Sequence, residues 1–291
     1  MSRVPRRPRW PWTTLLLSVA LAGTLGATVY FTVSSLPFLA SSPSADPTFG
    51  ALNACLHAAV PARSGFAAGR DARRALAWST SVVVRCRAEG DAVASDRWEL
   101  AGVTVGAFDD SGAAWVVSQP GGLASTLHRL EGSSPDSRGE LAALALTGTA
   151  SGVVALEPSG RLVAVDASGA VGGVAEVPVA GPLALSTSAD GRRVAVTGDG
   201  AVRIYEAATL APVRREAPCD VDGFWWLKTA GQALVTCRPD GLALVVSVDS
   251  GAQDTAPQAT RTRSVLAGPG GPWVEACDLL PCTSRPPLEA P

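Results

Sequence analysis

Six cysteines are the residues of this chain most suited to covalent or metal chemistry: Cys55, Cys86, Cys219, Cys237, Cys277 and Cys282. Their number is even, no histidine stands at metal-ligand spacing from them, and no C-x-x-C-H haem-attachment motif is present. In an oxidising compartment such a set predicts disulfide bonds. We therefore expect no metal site and no cofactor.

Other reactive side chains give weaker indications. The two histidines, His57 and His128, have no neighbouring residues typical of a general base, and no G-x-S-x-G nucleophile motif occurs. The carboxylates of Asp109-Asp110 and of residues 220–222 ("DVD") are typical of turns rather than of acid–base or calcium pairs. Glycines lie in hairpin-like contexts, which excludes a phosphate-binding loop. The sequence therefore predicts no catalytic residues and a protein that is not an enzyme.

The N-terminal segment indicates where the rest of the chain lies. Residues 1–10 form a basic tail that carries Arg3, Arg6, Arg7 and Arg9, and no charge occurs between Arg9 and Asp46. Residues 11–40 predict a transmembrane signal anchor, because the 21 residues 13–33 suffice to cross a hydrocarbon core of about 30 Å. The arginines predict a cytoplasmic N-terminus in the inner membrane, with the domain periplasmic or extracellular. A cleaved signal peptide is the alternative.

Two further features belong to this segment. Ser18, Ala22 and Gly26 form a small-residue stripe through which two membrane helices could associate. Residues 41–48 are expected to form a linker.

The rest of the chain is acidic. Removing the four N-terminal arginines leaves 20 basic against 26 acidic residues, a net charge of −6. Such a domain is a poor match for nucleic acid, so that partner class is set aside.

A glycine recurs at a nearly constant interval through residues 49–291. Gly112, Gly152, Gly191, Gly231 and Gly271 are separated by 40, 39, 40 and 40 residues. Forty residues before Gly112, Asp71, Arg73 and Arg74 repeat the spacing of Asp190, Arg192 and Arg193. Each unit has an apolar run before the glycine and two after it, separated by a second glycine turn. A fourth, variable run predicts four short antiparallel strands per unit.

These units resemble WD-repeat and related bacterial β-propeller repeats, in which the third strand closes on an acidic residue and a turn. Val165-Asp166 and Tyr205-Glu206 stand where that family has Trp-Asp, and the family's Gly-His pair is missing. The resemblance covers residues 70 to 280. It implies an all-β propeller, a fold that mostly serves as a binding platform. We expect about six blades, with residues 48–66 completing the last one; five blades and an N-terminal helical cap is the alternative.

The repeat also predicts which cysteines lie close enough to form disulfides. Cys219 precedes the first strand of its unit and Cys237 ends the second, so adjacent antiparallel strands predict a Cys219–Cys237 bond. Cys277 and Cys282 share the equivalent loop of the last unit and are expected to pair locally, which leaves Cys55 with Cys86. If the N-terminal segment closes the ring, Cys55 could instead reach Cys277 or Cys282.

The most suggestive binding feature is "FWWLK", residues 224–228. Alternation along a strand sends Trp225 and Trp226 to opposite faces, which makes one of them a candidate interface residue. We therefore expect a membrane-tethered, non-enzymatic propeller that binds a protein partner as a scaffold or accessory subunit of a cell-envelope complex. A propeller-fold hydrolase or lyase and a small-ligand sensor that uses the central channel are the alternatives.

Overall fold

The strands of this computed structural model follow one another in chain order and pair antiparallel with their neighbours. The residues it describes are 47–69, 71, 73–90, 92–178, 183–214, 219–227, 231–239, 242–249, 253–255, 262–268, 271–276 and 283–284. The segments 1–10, 11–40 and 41–46, Cys277 and Cys282 lie outside them. No helix within these ranges is long and apolar enough to span a bilayer.

The first three sheets contain four strands each. Sheet 1 consists of β1 (Gly65–Ala68), β2 (Arg74–Trp78), β3 (Val82–Glu89) and β4 (Ala92–Glu99). Sheet 2 consists of β5 (Val103–Phe108), β6 (Ala114–Ser118), β7 (Thr126–Glu131) and β8 (Ser134–Glu140). Sheet 3 consists of β9 (Ala145–Gly148), β10 (Gly152–Leu156), β11 (Arg161–Asp166) and β12 (Val171–Glu176).

Three more sheets follow within the described residues. Sheet 4 consists of β13 (Ala184–Thr187), β14 (Arg193–Gly198), β15 (Ala201–Glu206) and β16 (Pro212–Arg214). Sheet 5 consists of β17 (Val221–Trp226), β18 (Gln232–Cys237), β19 (Leu242–Ser247) and β20 (Gln253–Thr255). Sheet 6 shows three strands, β21 (Thr262–Gly268), β22 (Gly271–Ala276) and β23 (Thr283–Ser284).

The glycines of the forty-residue interval occupy equivalent places. Gly112, Gly152, Gly191, Gly231 and Gly271 all lie between the first and second strands of their sheets, or begin the second strand. Gly112, Gly191 and Gly231 have φ of 84°, 69° and 76°, a conformation that glycine adopts without the steric cost of a β-carbon. The interval thus corresponds to one hairpin per sheet.

The apolar core lies between successive sheets. Alternate residues of each central strand point to opposite faces, so sheets 1 and 2 enclose one cluster that includes Leu76, Trp98 and Leu130. Separate clusters join sheets 2 and 3, sheets 3 and 4, and sheets 4 and 5. Sheets 1 to 5 are therefore packed face to face, with their first strands β1, β5, β9, β13 and β17 adjacent.

A helix covers the face of sheet 1 that points away from sheet 2. This helix, α1 (Pro47–Ala59), begins with proline and ends before Pro61, residues that favour a helix start and stop there. Leu52 and Leu56 are fully buried and pack with Val60 against the alternate residues Ala75 and Ala77 of β2.

The expectation that residues 48–66 complete the last sheet is therefore wrong for the described residues. Most of that segment is helix α1, and β1, which begins at Gly65, pairs with β2 of the first sheet. The reason lies in the residue types: leucines four apart in an alanine-rich stretch place one apolar stripe on a helix and no alternation on a strand. The helix of the alternative interpretation is present, and the number of blades stays a prediction.

Candidate functional site: an arginine cleft between sheets 1 and 2

The two histidines lie far apart in the fold. His57 is exposed on α1, whereas His128 is half-buried on β7 with its Nε2 2.9 Å from Oγ of Ser118. Burial lowers the pKa of His128. Its Nδ1 is buried and meets no hydrogen-bonding partner among the described residues, and Ser118 is only 2% exposed. The pair therefore has neither an orienting acid nor access for a substrate.

Asp109, Asp110 and Asp220 lie in turns or loops, as expected, whereas Asp222 is the second residue of strand β17 and the turn prediction is wrong for it. Asp109 is buried and accepts hydrogen bonds from Ser111 Oγ (2.5 Å), the Ala113 amide (3.0 Å) and Trp115 Nε1 (2.8 Å). Asp220 and Asp222 are exposed beside Arg238, at 3.5 and 4.0 Å. No group of three or more potential metal ligands occurs in the described part of the chain.

Two disulfides join the cysteines that the structure describes. Cys219 bonds Cys237 at the end of the first hairpin of sheet 5, as strand order predicts. Cys55 bonds Cys86 and thereby fixes α1 to β3. The alternative pairing of Cys55 with Cys277 or Cys282 is therefore wrong, and a Cys277–Cys282 bond remains a prediction.

The tryptophans of β17 do point to opposite faces. Trp226 packs with Phe224, edge to face at 5.1 Å, against the core between sheets 4 and 5. The Trp225 ring lies on the other face over Gly223, where a β-carbon would meet its Cη2 at 2.0 Å. Both side chains are half-buried, and a role of Trp225 at an interface remains a prediction.

Sequence reasoning did not predict a cavity of about 490 Å³ between sheets 1 and 2. We call it the arginine cleft. It lies where the apolar core between these sheets ends, at the β1–β2, β5–β6 and β7–β8 turns. Its lining residues are Asp71, Arg73, Arg74, Arg85, Arg87, Ala88, Glu89, Ser111, Gly112, Ala113, Glu131 and Gly132.

Strand alternation places the arginines of sheet 1 in the cleft. Arg85 and Arg87 on β3 share a face with Val83, which belongs to the core shared with sheet 2. Arg74 on β2 shares a face with Leu76 of the same core. The same face of β2 and β3 thus forms the apolar core between sheets 1 and 2 and, further along the strands, the polar wall of the cleft. The alternation in "VRCRAE" of β3 predicts that Arg85 and Arg87 share one face of the sheet. Only the register of β2 against β3 shows that Arg74 lies opposite Arg87.

Arg74 crosses from sheet 1 to the glycine turn of sheet 2. A β-carbon on Gly112 would lie 1.7 Å from its Nη1. The equivalent arginine of sheet 4, Arg193, crosses to the glycine turn of sheet 5, where a β-carbon on Gly231 would lie 3.1 Å from its Nη1. The repeated arginine and the repeated glycine are therefore two halves of one inter-sheet contact.

Most charges in the cleft are engaged locally. Arg85 pairs with Asp96 at 2.8 Å, Arg87 with Glu89 at 3.1 Å, and Arg74 with Asp71 at 3.6 Å. Glu131 pairs with Arg129 at 2.7 Å, outside the cleft lining. Arg73 is exposed and forms no ion pair with the described residues. With four arginines and three carboxylates, the lining is a mixed but net positive surface on an acidic domain.

Comparison with known proteins adds information on the fold alone. No protein-family model matches the sequence, and no curated protein matches it. A protein of unknown function from Desulfotomaculum acetoxidans DSM 771 is similar in structure, with a TM-score of 0.50 and 11% identity over 73% of this chain and 81% of that one. The C-terminal WD40 domain of Sif2 has a TM-score of 0.47 and 11% identity over 73% of this chain and 64% of that domain.

Four-stranded antiparallel sheets that follow one another in chain order, with their first strands adjacent, have the architecture of a β-propeller. BamB from Moraxella catarrhalis is also similar, with a TM-score of 0.45 and 18% identity over 69% of this chain; the match spans 66% of BamB, just under two thirds. Identities this low carry no information on function. The arginine cleft is a recess of this chain's own surface from which a function can be inferred.

Proposed function

We propose that this chain is a membrane-tethered β-propeller that binds a protein partner through the arginine cleft, as a scaffold or accessory subunit of a cell-envelope complex. The observation that carries the proposal is the cleft itself. Its walls combine strand residues of sheet 1 with short turns of sheets 1 and 2, and the apolar core that the two sheets share fixes the positions of these turns. Arginine-rich recesses on rigid scaffolds are typical of interaction surfaces.

The tether is the second part of the proposal and is supported by the sequence. Residues 11–40 combine a long uncharged stretch with flanking arginines and tryptophans. Two disulfides in the domain agree with an oxidising, exoplasmic environment. We therefore propose a single-pass inner-membrane protein whose propeller lies in the periplasm or outside the cell.

Purification from native membranes after chemical cross-linking tests the proposal. The full chain, tagged at its cytoplasmic N-terminus, should retain at least one protein in stoichiometric yield. A matched sample with the exoplasmic domain removed by protease after solubilisation should lose it. The proposal is contradicted if the intact chain is recovered alone under conditions in which other cross-linked membrane complexes survive.

A further inference from the structure

Within this proposed function, we infer that the arginine cleft recognises a single carboxylate of the protein partner. The inference comes from comparing the cleft with its internal counterpart. Sheets 1 and 4 present an equivalent arginine, Arg74 and Arg193, each as the first residue of its second strand. Each guanidinium reaches the glycine turn of the next sheet. The repeat thus places the same cation at two inter-sheet junctions.

Between sheets 4 and 5 this cation is bound by carboxylates of the chain itself. Arg193 contacts Asp249 in the β19–β20 turn of the next sheet and has Glu206 at 3.8 Å on its own sheet. Glu206 is also the residue directly opposite Arg193 in the strand register. The Arg193 side chain is 17% exposed. At this junction the space beside the arginine is filled by an acid from each sheet.

Between sheets 1 and 2 the same positions carry different residues. The residue opposite Arg74 in the register is Arg87, a second cation. The equivalent turn of the next sheet, β7–β8, offers one carboxylate, Glu131, and that group is bound to Arg129. Asp71 reaches Arg74 only at 3.6 Å, and the Arg74 side chain is 33% exposed. The cavity therefore opens beside the β7–β8 turn, which corresponds to the turn that carries Asp249 in the other junction.

The surrounding charges define which anion fits. Guanidinium groups bind carboxylates through paired hydrogen bonds of fixed geometry, and Arg73, Arg74 and Arg87 converge on the cleft. Asp71, Glu89 and Glu131 also line it, so a ligand with several adjacent charges would be repelled. One acidic side chain flanked by uncharged residues satisfies both conditions.

A titration with a minimal probe tests this assignment. The full chain in neutral detergent is titrated with the end-blocked peptide Gly-Gly-Glu-Gly-Gly and with its glutamine counterpart, while the arginine Nε–H signals are followed by NMR. We expect saturable shifts at Arg73, Arg74 and Arg87 with the glutamate peptide only. Equal shifts with both peptides, or none with either, would overturn the inference.

Variants locate the binding and separate it from general electrostatics. Arg74→Gln should weaken probe binding about tenfold or more, the effect of losing one charge-assisted hydrogen bond. Arg192→Gln removes an exposed arginine that is equivalent to Arg73 at the other junction. This variant should keep the affinity for the probe peptide within about twofold of wild type. A wild-type affinity in the Arg74→Gln chain contradicts the assignment.

A further variant gives the cleft a carboxylate of its own, as Asp249 provides at the junction between sheets 4 and 5. Ser133 is the second residue after β7, as Asp249 is the second residue after β19. Ser133→Asp should therefore supply an internal carboxylate and reduce probe binding at least about tenfold, without loss of thermal stability. Probe binding unaffected by Ser133→Asp would count against the site. If a partner co-purifies but the probe does not bind, the carboxylate inference alone fails; if the probe binds but no partner is recovered, the proposed function fails.

Discussion

A guanidinium nitrogen of Arg74 occupies the place that a β-carbon on Gly112 would need, 1.7 Å from that atom's ideal position. The two residues belong to neighbouring sheets, and their contact forms one wall of the arginine cleft. Gly112 therefore has two roles: it adopts a φ of 84°, and it leaves room for a side chain from the preceding sheet. The first prediction follows from this pair.

Gly112→Ala should lower the free energy of unfolding by about 1.5 to 2.5 kcal/mol, slightly more than left-handed strain alone, because the β-carbon also displaces the flexible Arg74 guanidinium. Gly121→Ala is the control, since Gly121 has a φ of 59° but no neighbour within 4 Å. It should cost only the strain, about 1 to 2 kcal/mol. Denaturant unfolding measures both variants. In an Arg74→Ala background the Gly112→Ala cost should shrink toward that of the control; an undiminished cost would show that Arg74 is not the obstacle.

Removing the Cys55–Cys86 bond should detach α1 from sheet 1. The bond closes a sequence separation of 31 residues, so the loop-entropy relation gives a loss of about 3 to 4 kcal/mol. The chain with both cysteines changed to alanine should show faster amide exchange across Leu52–Val60, while sheets 3 and 4 keep their protection. Removing Cys219–Cys237 is the matched control and should leave exchange in α1 unchanged. Equal exchange in α1 with and without Cys55–Cys86 would contradict the covalent role.

Stability should fall as the pH is lowered through the ordinary histidine pKa of 6.5, because burial lowers the pKa of His128 in the folded protein. Between the lowered value and 6.5 the unfolded chain binds the extra proton, so acid favours unfolding. His128→Gln should flatten the dependence of the melting temperature on pH between about 5 and 7. If the melting temperature of His128→Gln depends on pH as in the wild type, a group other than His128 causes the loss of stability.

Asp109→Ala should destabilise the chain by about 2 to 3 kcal/mol, because it leaves the buried Trp115 Nε1–H without an acceptor and the Ala113 amide with only Ser111 Oγ. The Trp115 Nε1 and Ala113 amide groups both donate to this carboxylate. Asp222→Ala is the control, since that side chain is 65% exposed and lies 4.0 Å from its arginine; it should change stability by less than about 0.5 kcal/mol. A small effect at Asp109 would show that water replaces the carboxylate.

The sequence contained enough information for the sheets but not for the cleft. A constant interval marks Gly112, Gly152 and Gly191 as equivalent, and the apolar runs around them predict strands without knowledge of their partners. Strand order also led to the Cys219–Cys237 bond. The sequence does not predict that α1 covers the outer face of sheet 1, because that location depends on tertiary packing. The cleft depends on the pairing of Arg74 with Arg87 rather than with an acid, and that pairing requires a register that single-sequence reasoning does not provide.

The central claim is that the arginine cleft is where a protein partner binds. Site-specific photo-cross-linking in native membranes tests it most directly, with the photoreactive residue at Ser111 on the cleft, which leaves every arginine in place, or at Ser159 in the β10–β11 turn as the matched control. The account predicts a discrete protein adduct from position 111 that disappears in the Ser133→Asp background, and no such adduct from position 159. Adducts of equal yield from both positions, no adduct from either, or an adduct at 111 that Ser133→Asp leaves unchanged, would contradict it.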